Sequence, residues 1–172
     1  CEDIEIKALE MKYLRDFYEY AMQNEVGPSA GWKPHKSIKQ SKKILRDFID
    51  SKLEYGIYLD DKLIGMIGVY EDDYLYEQLQ FDGKVGVQIG YSLNKNYWNR
   101  GIMTKAVKCF VNHLLKDLDY DYVSCSCFVK NKKSARVIEK CGFKFYGEHL
   151  YENFDGTNKL CYYYYIKNLK EG

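Results

Sequence analysis

The sequence carries almost no net charge, has only two prolines and contains no long hydrophobic run. Lys and Arg number 26 against 25 Asp and Glu, a formal net charge of +1. Such a balance creates no overall field that would attract nucleic acid or an anionic membrane, so an anionic ligand requires a local site. No stretch reaches the roughly 18 apolar residues that a membrane-spanning helix needs. We therefore expect neither a nucleic-acid partner nor a membrane.

The six cysteines lack the spacing of a disulfide scaffold or a zinc site. Cys125 and Cys127 alternate in a strand-like run and share one face, but no second pair and no nearby histidine completes four ligands. We therefore expect no metal. Unpaired thiols without a secretory signal favour a reducing, cytoplasmic location. Because the chain begins at Cys1 rather than Met, we also expect further residues upstream.

Length and composition favour one ordered domain over residues 1–172. The chain has 172 residues, of which 46% are hydrophobic and 16% aromatic. This composition excludes disorder, and about 150 residues is a common size for one domain.

Strand-like and helix-like periodicities alternate along the whole chain, which predicts a mixed α/β fold. We expect a central mixed antiparallel and parallel sheet of about seven strands with helices on both faces. The predicted strands cover residues 4–7, 55–59, 63–70, 85–93, 122–129, 143–151 and 160–166. Helical stripes cover residues 14–22, 38–53, 102–118 and 131–142, and a loop covers 27–34. Polar turns at 60–62 and 155–156 predict two hairpins.

The junction between the strand at 85–93 and the following helix is the predicted ligand site. In open α/β sheets, ligands bind where a strand ends and the N-terminus of a helix offers free N–H groups. Gly101 would let the backbone approach a pyrophosphate and Arg100 would add charge. A glycine before a helix is more often structural, so the signal is weak alone. The dinucleotide and P-loop glycine motifs are absent.

Four motifs occur in order along the second half of the chain: Ile89-Gly90-Tyr91-Ser92-Leu93, Tyr97-Trp98-Asn99-Arg100-Gly101, Asn131-Lys132-Lys133-Ser134-Ala135-Arg136 and Lys140-Cys141-Gly142-Phe143. Together they resemble the GNAT acetyltransferase superfamily, and within it the RimJ/RimL-type branch of ribosomal-protein N-terminal acetyltransferases. The resemblance implies acetyl-CoA as the donor. Its pantetheine arm would pair with Gly90, Tyr91, Ser92 and Leu93. Its phosphates would meet Asn99, Arg100, Gly101, Ile102, Met103, Thr104, Asn131, Lys133 and Arg136.

Two of these positions carry open interpretations. The family's phosphate loop usually has glycine where this chain has Asn99, and asparagine tolerates the left-handed conformation better than most residues. Asn131 matches the family's ligand-proximal asparagine, but it also suits the N-cap of the next helix. Lys133 and Arg136 would meet the 3′-phosphate or form a solvated cationic face.

The standard acid and base of the family are missing. Many relatives have glutamate where this chain has Gln88, and tyrosine where it has Ile138. The resemblance implies that Ser134 donates a proton to the leaving sulfur, and that the backbone N–H near Tyr91 stabilises the oxyanion. The alternative for Ser134 is a first-turn serine that bonds only to the backbone.

The missing base bears on the amine acceptor. An α-amine has a pKa of about 7.8 and a lysine about 10.4, a difference worth roughly 3.5 kcal/mol of deprotonation. We therefore expect a protein or peptide α-amine, unless Glu71 or Glu77 activates a water molecule. A small-molecule amine and a non-catalytic acyl-CoA-binding module remain alternatives.

The loop around residue 32 is expected to line the acceptor side. Trp32 and His35, with Gln88 on the strand, are the predicted substrate-binding residues, although a packed loop tryptophan is commoner. An exposed face among the 18 tyrosines would favour a homodimer.

Overall fold

Seven strands and five α-helices form the fold of the computed structural model, which describes residues 3–72, 84–152 and 155–168. The strands are β1 (Ile4–Ala8), β2 (Glu54–Leu59), β3 (Lys62–Tyr70), β4 (Gly86–Leu93), β5 (Tyr122–Phe128), β6 (Lys144–Glu152) and β7 (Asn158–Lys167). The helices are α1 (Leu14–Ala21), α2 (Val26–Ala30), α3 (Ile38–Ser51), α4 (Ile102–Asn112) and α5 (Lys132–Lys140).

The strands form one mixed sheet in the order β1-β2-β3-β4-β5-β7-β6. Among the strands of the described residues, only the β4 and β5 pair is parallel, and α4 provides the crossover between them. The other neighbouring pairs are antiparallel. The expected mixed α/β sheet of about seven strands is confirmed.

Apolar side chains cover both faces of the sheet. On one face, Ile67, Ile89 and Val123 pack with α4 residues such as Val107 and Phe110. On the other face, Met66 packs with α1 and α3 through a cluster that includes Tyr20 and Leu45. Because neighbouring residues of a strand point to opposite faces, β4 contributes to both sides.

The two hairpins follow local turn chemistry. Asp60 and Asp61 both adopt positive φ, 49° and 58°, as a two-residue turn between twisted strands requires. Gly156 (φ 78°) lies in the turn before β7, and Gly142 (φ 87°) follows α5. Both glycines therefore occupy the left-handed region that side chains disfavour.

Three boundaries differ from the sequence prediction. The predicted loop contains α2, where Pro28 is tolerated because first-turn N–H groups have no partner within the helix. α4 ends at Asn112 and widens into a π-helical turn, in which the Leu118 N–H donates to His113 O (3.1 Å). α3 ends at Ser51, because Lys52 turns into the left-handed region (φ 57°) and leaves Leu53 exposed.

Within the described residues, five cysteines are free thiols and no group of His, Cys, Asp and Glu could hold a metal ion. Among those same residues, no helix is both long and apolar enough to cross a membrane. The predicted loop at 71–83 lies almost entirely outside the described residues, Glu77 included.

Candidate active site where β4 and β5 separate

The two parallel strands pair only at their beginnings. β4 and β5 are in register from Gly86 with Tyr122 to Ile89 with Cys125, and the described pairing ends there. β4 nevertheless continues to Leu93 along β3. The last four residues of β4 therefore line an opening in the middle of the sheet.

The turn after β4 is fixed by buried polar contacts. Asn94 is fully buried, donates to the Glu19 carboxylate (3.1 Å) and accepts from Gln23 Nε2 (3.0 Å). The Trp98 indole N–H donates to Leu93 O (2.8 Å). These bonds join the end of β4 to α1 and hold the turn beside the opening.

Two left-handed residues lead from this turn into α4. Asn99 has φ 61° and Gly101, the N-cap of the helix, has φ 74°. A Cβ at Gly101 would meet no atom within 4 Å, so the backbone conformation rather than close packing requires glycine. The N–H groups of Ile102, Met103 and Thr104 begin the helix without partners inside it. Such a terminus favours anions.

Cationic side chains surround this helix end. The Arg100 guanidinium lies 5.1 Å from the centre of the Tyr97 ring, and the Lys133 ammonium lies 4.5 Å from that of Trp98. Arg136 is exposed on α5. Lys133 therefore reaches the turn from the other side of the opening, since α5 follows β5.

The N-terminus of α5 lies at the second edge of the opening. Asn131 Oδ1 accepts from the Ser134 N–H (3.2 Å), so Asn131 is the N-cap. Its Nδ2 donates to Ser29 O (3.2 Å), which brings α2 against α5. One side chain thus caps the helix and fixes the segment that borders the site.

Ser134 also meets a phenol from β4. The hydroxyl of Tyr91 lies 2.8 Å from Ser134 Oγ, and either group can be the donor. Burial raises the pKa of Tyr91 well above its ordinary value, so the phenol keeps its proton at neutral pH. The sequence predicts a role only for the backbone N–H near Tyr91, and no local pattern in it indicates this pair of hydroxyl groups.

Gln88 and Ile138 occupy the positions of the expected family base and tyrosine, and both have structural contacts here. The Gln88 amide donates to Ser126 Oγ (3.1 Å) across the strands. Ile138 is fully buried in the core. An amide cannot accept a proton at neutral pH, and an alkyl side chain cannot donate one, so neither position provides an acid or a base.

Glu54 is a buried carboxylate on the same face of the sheet as Gln88. It is only 8% exposed, accepts a hydrogen bond from Tyr70, and pairs with Gly68, which in turn pairs with Gly90 of β4. Burial raises the pKa of Glu54. No local sequence pattern marks Glu54, because its burial depends on two neighbouring strands.

Trp32 and His35 lie between α2 and α3. The rings are 5.4 Å apart, and His35 Nδ1 lies 2.7 Å from Ser41 Oγ. His35 is buried, which lowers its pKa. Packing in the core under α1 and α3 explains these contacts. Substrate binding by Trp32 and His35 stays a prediction.

The family follows from a match over most of the chain. Residues 4–144 match the model of the acetyltransferase (GNAT) domain. The chain belongs to the GNAT acetyltransferase family. The matched segment of this GNAT chain includes the opening, the turn before α4 and the whole of α5.

Curated relatives come from Bacillus subtilis. This GNAT chain is 32% identical over 96 residues to YjcK, named as an N-acetyltransferase, covering 55% of this chain and 49% of YjcK. It is 29% identical over 123 residues to YdaF, named as a ribosomal N-acetyltransferase, covering 70% of this chain and 62% of YdaF. The chain thus spans about half to three fifths of these relatives' length.

Solved structures share the fold along nearly the whole GNAT chain. A GNAT acetyltransferase from Bacillus anthracis has a TM-score of 0.82 at 18% identity, covering 99% of this chain and 98% of its own. A spermidine N-acetyltransferase from Vibrio cholerae, in complex with CoA and spermine, has a TM-score of 0.76 at 18% identity, covering 96% and 95%. These identities support the fold alone.

The residues around the opening fit an acyl-CoA donor. A long arm needs an unpaired strand edge, and the end of β4 provides one. A pyrophosphate needs free N–H groups and nearby cations, which the start of α4, Arg100 and Lys133 supply. The Ser134 hydroxyl, which is a group that can protonate a departing thiolate, lies at the edge of the opening.

Proposed function

We propose that this protein transfers the acetyl group of acetyl-CoA to a primary amine, with a protein or peptide N-terminal α-amine as the first candidate. The observation that carries the proposal is the opening between β4 and β5 with the hydroxyl pair of Tyr91 and Ser134 at its edge.

The donor would lie along the end of β4 with its phosphates at the start of α4. Gly90, Tyr91, Ser92 and Leu93 would offer backbone groups to the pantetheine arm. The left-handed conformations of Asn99 and Gly101 support a turn that can receive the pyrophosphate. Lys133 and Arg136, on the exposed side of α5, would meet the 3′-phosphate.

The acyl transfer needs an oxyanion donor and a proton for the departing sulfur. The Tyr91 N–H would stabilise negative charge on the carbonyl oxygen. The Ser134 hydroxyl would donate to the sulfur, and the Tyr91 phenol would in turn donate to Ser134 Oγ. The 2.8 Å between their oxygens supports such a relay.

A small polyamine is the second candidate acceptor. Two buried carboxyl side chains, Glu54 and Asp72, contact the strands on the Gln88 side of the sheet: Glu54 bonds to Tyr70 and Asp72 to Ser124. Buried carboxylates favour a cationic ligand. The spermine in the structure of the Vibrio cholerae enzyme supports a polyamine acceptor. The similarity to YdaF, named as a ribosomal N-acetyltransferase, supports a protein α-amine.

The test is release of free CoA thiol with a panel of amines at pH 7.5. The panel contains a peptide with a free α-amine, the same peptide blocked at its N-terminus but carrying a lysine, and spermidine. We expect turnover of the α-amine peptide at least about tenfold faster, in kcat/KM, than the blocked lysine peptide. Faster turnover of spermidine would replace the first candidate by the second.

The same panel tests whether the protein is an enzyme. Calorimetry measures binding of acetyl-CoA independently of turnover. Binding without turnover of any amine would contradict acetyl transfer and favour an acyl-CoA-binding regulatory module. Absence of binding would contradict the donor site as well.

A further inference from the structure

A row of three residues crosses the sheet beside the opening. Glu54 of β2 is in register with Gly68 of β3, which is in register with Gly90 of β4. Side chains of residues in such a row point to the same face of the sheet. Only the first residue of this row has a side chain, so two glycines separate the Glu54 backbone from the opening.

The two glycines leave room for the Glu54 carboxylate and the ring of Tyr70. Any side chain at Gly68 would overlap the Glu54 carboxylate. A Cβ at Gly90 would lie 2.9 Å from Tyr70 Cε2, closer than such carbons pack. The carboxylate therefore extends over β3, and the phenol ring covers the backbone of β4 where the strands begin to separate.

Tyr70 lies between solvent and the carboxylate. Its hydroxyl donates to Glu54 Oε1. Tyr70 is 45% exposed, whereas Glu54 is 8% exposed. Tyr70 is therefore the more exposed member of the pair, and a ligand that approaches over Gly90 would meet its ring before the carboxylate.

A third group adds an unused polar atom. The hydroxyl of Tyr20 is fully buried and makes no hydrogen bond within the described chain. Burial raises the pKa of Tyr20, the Glu54 carboxylate raises it further, and Ser92 of β4 is close enough to lower it. The phenol thus lies close to both Glu54 and Ser92, on the same side of β4.

We propose that Glu54 accepts the proton that the acceptor amine loses, and that Tyr70 carries this proton to it. This assignment rests on the proposed acetyl transfer. The amine nitrogen forms a bond to the acetyl carbon while the carbon–sulfur bond breaks. The nitrogen's proton passes to the Tyr70 oxygen as the phenol proton passes to Glu54 Oε1, and the sulfur takes its proton from Ser134.

The environment of Glu54 suits a proton acceptor. The titratable groups that face it are the phenols of Tyr20 and Tyr70, and burial raises the pKa of both, so both are uncharged at neutral pH. Among the described residues, no cation forms an ion pair with the Glu54 carboxylate or lowers its pKa. Burial also raises the pKa of Glu54 toward neutrality, where a general base works best.

This base changes the expectation drawn from the sequence. General-base catalysis contributes about 10² to 10⁴ in rate, which is comparable to the roughly 3.5 kcal/mol that separates lysine from an α-amine. Acceptors with a high pKa, including polyamines, are therefore accessible to this site despite the amide at Gln88. Because the base would accelerate both kinds of amine, the α-amine peptide is still expected to react faster than the blocked lysine peptide.

The experiment compares Glu54→Gln and Tyr70→Phe with a matched control, Glu148→Gln, which changes an exposed carboxylate on β6 at the far edge of the sheet. The readouts are kcat from thiol release between pH 6 and 9, with the fastest amine of the panel, and the Kd of acetyl-CoA from calorimetry. The amine panel is measured first on the unaltered protein.

We expect Glu54→Gln to lower kcat about 100-fold and Tyr70→Phe about tenfold, with the Kd of acetyl-CoA changed less than about twofold. The ionisation of the carboxyl should also disappear from the pH profile of kcat in Glu54→Gln. Glu148→Gln should match the unaltered protein in every readout.

The assignment is overturned if Glu54→Gln keeps kcat within about threefold and retains the same pH profile. If that variant does not fold, Tyr70→Phe decides, and an unchanged kcat there overturns the relay. An unaltered protein that acetylates no amine contradicts the proposed function and this assignment together, whereas an active Glu54→Gln contradicts this assignment alone.

Discussion

The two sides of β4 carry different chemistry although their residues alternate along one strand. On the α4 side, Ile89 is in the apolar core and Tyr91 meets Ser134 near the N-terminus of α5. On the α1 side, Gly90 lies under Tyr70, which bonds to the buried carboxylate of Glu54. The strand therefore separates the proposed proton donor for sulfur, Ser134, from the proposed proton acceptor for nitrogen, Glu54.

The contrast shows why one strand can serve both substrates. In the proposed reaction the amine attacks the carbonyl carbon of the thioester and the thiolate leaves from the same carbon, so the two groups need proton transfer on different sides of that carbon. Side chains that alternate in a strand point in opposite directions. The α4 side relies on helix termini and hydroxyl groups, whereas the α1 side relies on a desolvated carboxylate. Variants on each side should consequently change different kinetic quantities.

The largest effect expected on the α4 side is that of Ser134→Ala. Removal of the hydroxyl leaves the departing sulfur without its donor, so kcat should fall about 100-fold while the Kd of acetyl-CoA stays within about twofold. Stopped-flow or steady-state thiol release gives kcat, and calorimetry gives the Kd. An unchanged kcat would remove Ser134 from the reaction.

Ser51→Ala is the matched control for that variant. Ser51 is exposed at the end of α3 and donates only to Phe48 O (2.9 Å) among its described contacts. We expect full activity from it. A similar loss in both variants would indicate damage to the fold rather than to the chemistry.

A smaller effect is expected when Gly101 becomes valine. A β-branched residue at φ 74° is strained by about 1 to 3 kcal/mol. The turn should therefore shift and weaken acetyl-CoA binding about tenfold, with less change in kcat. Gly156→Val is the control, because Gly156 has φ 78°, similarly open surroundings and a place in the distal hairpin. Equal Kd values in the two variants would contradict the phosphate turn.

The smallest effect concerns stability on the α1 side. The raised pKa of Glu54 means that the folded state holds this proton more tightly than the unfolded chain. Ionisation of the carboxyl therefore costs stability as pH rises through the folded pKa, and costs nothing below the unfolded pKa of about 4.3. Glu54→Gln should gain in Tm relative to the unaltered protein from pH 4 to pH 8. A Tm difference independent of pH would contradict the buried ionisation.

Local chemistry made much of the fold predictable. Alternating apolar residues located all seven strands, and Asp60, Asp61 and Gly142 marked turns that the backbone does make. The preference of asparagine for left-handed φ also agrees with the conformation of Asn99 (φ 61°). These features depend on residues close together in sequence.

The remaining features depend on residues that are distant in sequence. Tyr91 and Ser134 are 43 positions apart, and Glu54 and Tyr70 are 16 apart on different strands. No periodicity marks such pairs, because the register of the sheet brings them together. The helix at 26–30 was missed since Gly27 and Pro28 usually break helices.

The most direct test of the central claim is a crystal structure of the protein with CoA. We expect the CoA sulfur to lie within about 3.5 Å of Ser134 Oγ, with the pyrophosphate on the N–H groups of Ile102, Met103 and Thr104. A CoA molecule bound outside the opening between β4 and β5, or a sulfur distant from Ser134, would contradict it.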